Sequence, residues 1–236
     1  MAGNQGIFKI AIMKNIMTDF PSKTIKVPGE KELSRREKDE IRKRREILDA
    51  AMSVFASRGF HGTTMAQISQ VSQYPLGTIY KYFSSKKRIY NDLVMEKIHD
   101  LGHIFFKISR KHDISPCEKI RASFFAMAEF YRLNNEFIRI YIAERGSIDS
   151  VIMPELNENV KKMHNKMVDL FENLFEQGIR LNEFKTYPAR EMAVLFSDIA
   201  HSASWSSMFT DEDDHDLKKR LNTIFEMFTR GVCNIS

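Results

Sequence analysis

Apolar residues in this chain recur three and four positions apart along most of its length, and hardly anywhere two apart. Ile47, Ala50, Ala51, Val54 and Phe55 form one such stripe, and Leu156, Val160, Met163, Met167, Leu170, Phe171, Leu174 and Gly178 a second. Met192, Leu195, Phe196, Ile199 and Ala203 form a third, and Leu217, Leu221, Ile224, Phe225, Phe228 and Val232 a fourth. This is the period of a helix with one buried face. Gly and Pro together make 16 of 236 residues, too few for the turns of a many-stranded sandwich or barrel. They also sit where helices begin and end: Pro75, Pro116, Pro154 and Pro188 at starts, Gly59 at a stop. The pattern predicts an all-α chain of about nine helices.

Hydrophobic residues make up 43% of the chain, enough to bury a core. The stretch closest to a membrane span, Met192–Thr210, carries Asp198, His201 and several serines, more polar groups than a lipid-facing helix tolerates. The apolar patch Ile7–Met13 is interrupted by Lys9 and has no small-residue cleavage site after it, so no signal peptide is expected. Cys117 and Cys233 are far apart in the chain and form no CxxC, which fits a reducing cytoplasm and isolated thiols.

The net charge of +5 is unevenly spread. Residues 1–90 hold 17 Lys+Arg against 8 Asp+Glu, and residues 91–236 hold 19 against 23. A net +9 beside a net −4 points the first part towards a polyanion. Charge alone leaves a solvated helix equally open, because Arg35, Arg36, Lys38, Arg42, Lys43, Arg44 and Arg45 alternate with Glu37, Asp39, Glu40 and Glu46.

The segment Ile47–Ile89 decides between them. A helix ending at Gly59 is followed by a Gly-aromatic loop and by Thr64-Met65-Ala66-Gln67, a capping box that starts a short helix. After the break at Ser72-Gln73-Tyr74-Pro75 comes a second short helix, Leu76–Tyr82. Two short helices joined by a tight turn make a helix-turn-helix. Ile47-Leu48-Asp49-Ala50-Ala51, Phe55, Gly59-Phe60, Thr63-Thr64, Ile68, Gly77-Thr78-Ile79-Tyr80-Lys81-Tyr82-Phe83 and Ser85-Lys86 stand in the register of the tetracycline-repressor (TetR/AcrR) family, which this segment resembles.

The resemblance implies double-stranded DNA as partner, with Leu76–Tyr82 entering the major groove. Thr63, Thr64, Gly77, Thr78, Tyr80, Lys81 and Lys86 are the expected contacts to phosphates or base edges. Tyr82 is expected to pack. Where the family usually has Ala-Gly-Val-Ser at the turn, this chain has Ser72-Gln73-Tyr74-Pro75. Gln73 then falls where positive φ is expected, at a strain of about 1 kcal/mol, and Pro75 removes a hydroxyl. Gln73, Tyr74, Pro75 and Leu76 become candidates for this chain's own base preference.

Residues 1–34 read as an arm, 35–90 as the DNA-binding domain and 91–236 as a helical ligand-binding and dimerisation domain. Thirteen of 18 Phe and 8 of 13 Met lie after residue 90, which suits an adaptable apolar pocket. Polar residues set in apolar helices mark its candidate ligand contacts: Tyr131, Tyr141, Arg145, His164, His201 and Trp205. The resemblance implies a homodimer through the last two helices. The small-residue stripe Ala193, Ser197, Ala200, Ser204 and Ser207, with Leu221, Ile224 and Phe228, is the expected interface. The implied function is a cytoplasmic repressor released from a near-palindromic operator by a small apolar or aromatic effector, with no membrane partner.

The competing reading is a helical metal-binding protein or metalloenzyme. Glu96-x-x-His99 and Asp198-x-x-His201 each set a carboxylate and an imidazole one turn apart, and His99 and His103 share a face. Solvated or satisfied histidines are the expectation. No Gly-rich phosphate loop, nucleophile elbow or His-Glu-x-x-His is present, so no catalytic residue, cofactor or metal is expected.

Overall fold

A computed structural model describes residues 34–145, 154–206 and 213–234. Nine helices occur among them: α1 Arg35–Arg58, α2 Met65–Ser72, α3 Leu76–Tyr82, α4 Lys86–Ser109, α5 Pro116–Leu133, α6 Asn135–Arg145, α7 Pro154–Arg180, α8 Ala189–Ser206 and α9 Asp214–Val232. No strand occurs among the described residues, only an isolated bridge between Phe184 and Cys233. The expected arm lies outside them up to residue 33, as does Ser207.

The chain divides into two compact units, one up to Arg42 and one from Lys43. The described part of the first is the opening of α1. Ser34 and Glu37 cap it reciprocally: the Ser34 hydroxyl and amide both donate to the Glu37 carboxylate, and the Glu37 amide donates back to the hydroxyl. Arg36–Glu40 and Asp39–Arg42 pairs follow along its exposed surface.

In the second unit α1 buries Ile47, Leu48, Ala51, Val54 and Phe55. It ends as expected at Gly59, whose amide donates to the Phe55 carbonyl at 2.8 Å and whose φ of +68° turns the chain out of the helix. Thr64 caps α2 in the predicted box with Gln67. Gln73 takes φ +59°, so the turn adopts its left-handed conformation on a non-glycine residue. Pro75 sits one position earlier than the first turn of α3: it is the N-cap, and its carbonyl accepts from Thr78 and Ile79. Phe55, Phe60 and Tyr90 cluster with ring centroids 5.2–6.0 Å apart, joining α1, its loop and α4.

The rest of the unit is a helical body. Ser115 and Glu118 make the second predicted capping box at the start of α5. α6 follows α5 as a separate helix. Asn134 breaks the two, because its side-chain amide competes for the Phe130 carbonyl that its own amide also uses. Phe196 of α8 stands at the centre of the aromatic core, 4.8 Å from Phe171, 5.8 Å from Phe228 and 6.5 Å from Phe124. Gly178 is required by packing: a Cβ there would fall 2.1 Å from Phe184 Cδ2. The two cysteines are not isolated, as the sequence suggested. Their sulfurs are 3.8 Å apart, because the fold returns the end of α9 to the start of α5.

Candidate functional site

The outward surface of α3 is built by its register. Ile79 is buried, Thr78 and Tyr82 are half-buried, and Leu76, Gly77, Tyr80 and Lys81 are exposed on successive turns. Tyr80 is 51% and Leu76 40% exposed. A Cβ added to Gly77 would meet nothing within 4 Å. Packing within the chain therefore does not require glycine there, and the space is open towards whatever α3 meets. Thr64 and Gln73 are exposed beside it.

Three expected contacts are instead engaged within the protein. Thr63 is buried, and its hydroxyl donates to the Gly59 carbonyl at 2.7 Å. The Tyr74 hydroxyl donates to the Glu46 carboxylate of α1, while the Tyr74 carbonyl accepts from Ser69 Oγ. Tyr74 thus pins the turn to α1 rather than offering a ring to a base. Lys86 spends its ammonium on the loop before α2: Nζ donates to the carbonyls of Phe60 (2.8 Å), His61 (3.2 Å) and Thr63 (2.7 Å), and stands 4.7 Å from the Phe60 ring centroid. An ammonium has three protons, so none remains for a phosphate. The sequence missed Lys87, the next residue of α4, which is exposed.

Two basic residues of α1 serve a similar purpose. Arg44 pairs with Asp92 of α4 at 2.6 Å and lies 5.2 Å from the Phe83 centroid, and Arg45 pairs with Glu96 of α4. These ties fix α1 on α4. They also occupy Glu96, the first carboxylate of the metal reading. Among the described residues one group has metal-ligand proximity, Asp213, His215 and Asp216. It is exposed, and contains neither His99, His103, Asp198 nor His201.

A cavity of about 830 Å³ lies in the body. Val94, Lys97, Ile98 and Leu101 of α4 form one wall. Tyr131, Tyr141, His164, His201 and Trp205 all line it, so five of the six candidate ligand residues come together. Arg145 ends α6, but its side chain is outside the described residues. Phe137 and Tyr141 stack with centroids 5.9 Å apart, making an aromatic panel. The Tyr131 hydroxyl is 2.6 Å from His201 Nδ1. Burial, aided by the neighbouring His164 and opposed by Asp198, lowers the His201 pKa to about 4, so its ring is neutral at pH 7.

This shift has a stability consequence. The folded state disfavours protonated His201, so its contribution is complete above the ordinary value of 6.5 and is lost as pH falls from 6.5 towards 4. The Tm of the protein is expected to fall through that window, and His201→Gln, which keeps an acceptor for Tyr131, should flatten the fall. Parallel pH–Tm curves for the two proteins would remove His201 as the cause.

The expected dimer residues are mostly interior. Ala193, Ser197, Ala200, Ser204, Leu221 and Phe228 are each at most 6% exposed, and Ile224 is half-buried. The small-residue stripe does bring helices close, but α8 uses it on α5 and α7 of its own chain. The apolar side chains that α8 and α9 leave outside are Val194 (37%), Leu195 (50%) and Met227 (70%).

Residues 47–93 match the family described as "Bacterial regulatory proteins, tetR family". The chain is 22% identical over 194 residues to the HTH-type transcriptional regulator QacR of Staphylococcus aureus, covering 79% of this chain and 96% of QacR. It is 22% identical over 193 residues to the fatty acid metabolism regulator protein of Bacillus subtilis, covering 80% of this chain and 95% of that one. Its fold resembles the crystal structure of FadR from Bacillus subtilis in complex with stearoyl-CoA, with a TM-score of 0.66, 20% identity, and 79% and 98% of the two chains covered. The helix-turn-helix at α2 and α3 lies within the matched segment, so residues 47–93 are a tetR-family DNA-binding segment, and the chain as a whole is similar in sequence and fold to TetR-family transcriptional regulators.

Proposed function

We propose that the protein is a homodimeric repressor that binds a near-palindromic operator and leaves it when a small apolar or aromatic ligand fills the cavity. The observation that carries this reading is the double role of α4. Its first residue, Lys86, grips the loop that leads into α2, while Val94, Lys97, Ile98 and Leu101 wall the cavity. A ligand that displaces α4 would therefore carry the DNA-reading helices with it. In a symmetric dimer this alters the spacing of two recognition helices, and a ligand favouring the wrong spacing shifts the population off DNA.

The residues that face outward support a division of labour on DNA. Thr64 offers its helix start to a phosphate, and Tyr80, Lys81 and Lys87 offer a hydroxyl and two ammonium groups. Gln73, Leu76, Gly77 and Thr78 stand where base edges would lie, with Pro75 presenting only apolar surface. Residues 35–90 act as the DNA-binding domain and 91–236 as the ligand-binding and dimerisation domain.

For the ligand, the lining supplies apolar and aromatic surface with a few polar groups, and the volume is ordinary for a small-molecule site. The Tyr131–His201 pair supplies a polar handle, because a neutral His201 accepting at Nδ1 keeps an Nε2 proton to donate. Stearoyl-CoA, bound by the similar FadR, is a ligand of this broad kind: a long apolar chain with a polar end.

Selection of bound duplexes from random DNA tests the reading. An enriched inverted repeat supports a dimeric reader, whereas folded protein that enriches no sequence counts against it. Two lysine variants then separate contact from scaffold. Lys87→Ala should flatten the dependence of log K on log salt by about one. Lys86→Met should leave that slope nearly unchanged but lower stability by roughly 1–3 kcal/mol in urea unfolding, since the loop carbonyls lose a charged donor. A slope that falls with Lys86 and not Lys87 would reverse the assignment.

A further inference from the structure

The two thiols stand where the ends of distant helices meet. Cys117 is the second residue of α5 and Cys233 follows the last residue of α9, with both side chains half-buried and the sulfurs 3.8 Å apart. The segment between α7 and α8 stitches them together. The Cys117 amide donates to the Glu183 carboxylate at 3.0 Å, the Lys185 amide donates to the Val232 carbonyl at 2.8 Å, and the Asn234 amide donates to the Glu183 carbonyl at 3.0 Å. Asn234 further donates its side-chain amide to the carbonyls of Asn182 and Phe184. The backbone at both cysteines is thus held, and only a closure of about 1.8 Å separates the sulfurs from a covalent bond near 2.05 Å.

We propose that Cys117 and Cys233 are an oxidisable pair, a modification site at which a hydroperoxide closes an intramolecular disulfide between the start of α5 and the end of α9. Cys233 is the attacking sulfur. Either sulfur of the 3.8 Å contact can carry the proton; when Cys117 S–H donates, it lowers the Cys233 pKa, helped by Lys185, while the same hydrogen bond and burial push the Cys117 thiol up. The Cys233 thiolate attacks one peroxide oxygen, the O–O bond breaks, and hydroxide (or alkoxide) leaves, giving a sulfenic acid. Cys117 then attacks the sulfenic sulfur, the S–O bond breaks, and the departing hydroxide takes the Cys117 proton as water. Two thiols are oxidised by two electrons in all and one peroxide is reduced.

The disulfide would close a loop spanning 116 positions in sequence. Restricting so long a loop in the unfolded chain raises Tm, here by about 5–15 °C. The site uses neither the DNA-reading face nor the cavity, so it stands or falls independently of the regulator reading. The test treats reduced full-length protein with hydrogen peroxide and reads non-reducing peptide maps, intact mass and Tm. A linked Cys117–Cys233 peptide, the loss of two hydrogens and a Tm rise reversed by dithiothreitol are expected. Cys117→Ser and Cys233→Ser should each abolish the link and the rise. Oxygen added to single cysteines without a link, a disulfide between two chains, or two thiols that remain alkylatable would overturn it.

Discussion

A Leu195→Glu, Met227→Glu double variant is expected to be a folded monomer that binds operator DNA at least about 100-fold more weakly than the parent. Both side chains are half or more exposed on the single chain, at 50% and 70%, so the glutamates face water in the monomer and cost it little. In a dimer built on α8 and α9 they would be buried against a second copy, and an unpaired carboxylate there costs several kcal/mol. A monomer carries one reading helix pair, and loses the effective concentration that linking two provides. Sedimentation equilibrium and anisotropy titration with a fluorescent duplex measure the two effects. A variant that stays dimeric would exclude this face as the interface. Monomers with undiminished affinity would show that the operator needs only one head.

This choice of residues differs from the one periodicity suggested, and the difference shows what a sequence leaves open. Ala193, Ser197, Ala200 and Ser204 correctly mark a close helix approach, but a small-residue stripe does not say whose helix approaches. The answer lies in α5 and α7, whose Phe124 and Phe171 meet Phe196 on the same helix. Lys86 failed for a related reason. Neighbouring helix positions differ by about 100° of rotation, and which of Lys86 and Lys87 turns inward depends on where the carbonyls of Phe60, His61 and Thr63 are left by the loop. Cys117 and Cys233 could be paired only by the whole topology. Local chemistry was legible where it is local: both capping boxes, the Gly59 stop and the left-handed Gln73 depend on residues at most a few positions away. The cavity lining was legible through a different signal, since Tyr131, His164, His201 and Trp205 are polar interruptions in helices with every reason to be apolar.

The DNA-reading surface admits a test in which stability and affinity move in opposite directions. Gly77→Ala is expected to stabilise the protein by roughly 0.5–1 kcal/mol, because glycine in a helix carries excess unfolded-state entropy and the new methyl meets nothing within the chain. The same substitution should weaken operator binding on the order of 10-fold, and Gly77→Leu on the order of 100-fold, corresponding to about 1.4 and 2.7 kcal/mol. The reason is that α3 has its open space at Gly77 on the face that also presents Leu76, Tyr80 and Lys81. A side chain there costs nothing until a groove closes on it. A generally damaged fold would lower both quantities together, and a glycine of no functional consequence would raise stability and leave affinity alone. Only close approach of a partner at this position separates them. Urea unfolding and operator titration on the same two variants therefore locate the face of α3 that meets DNA, without needing the identity of the effector.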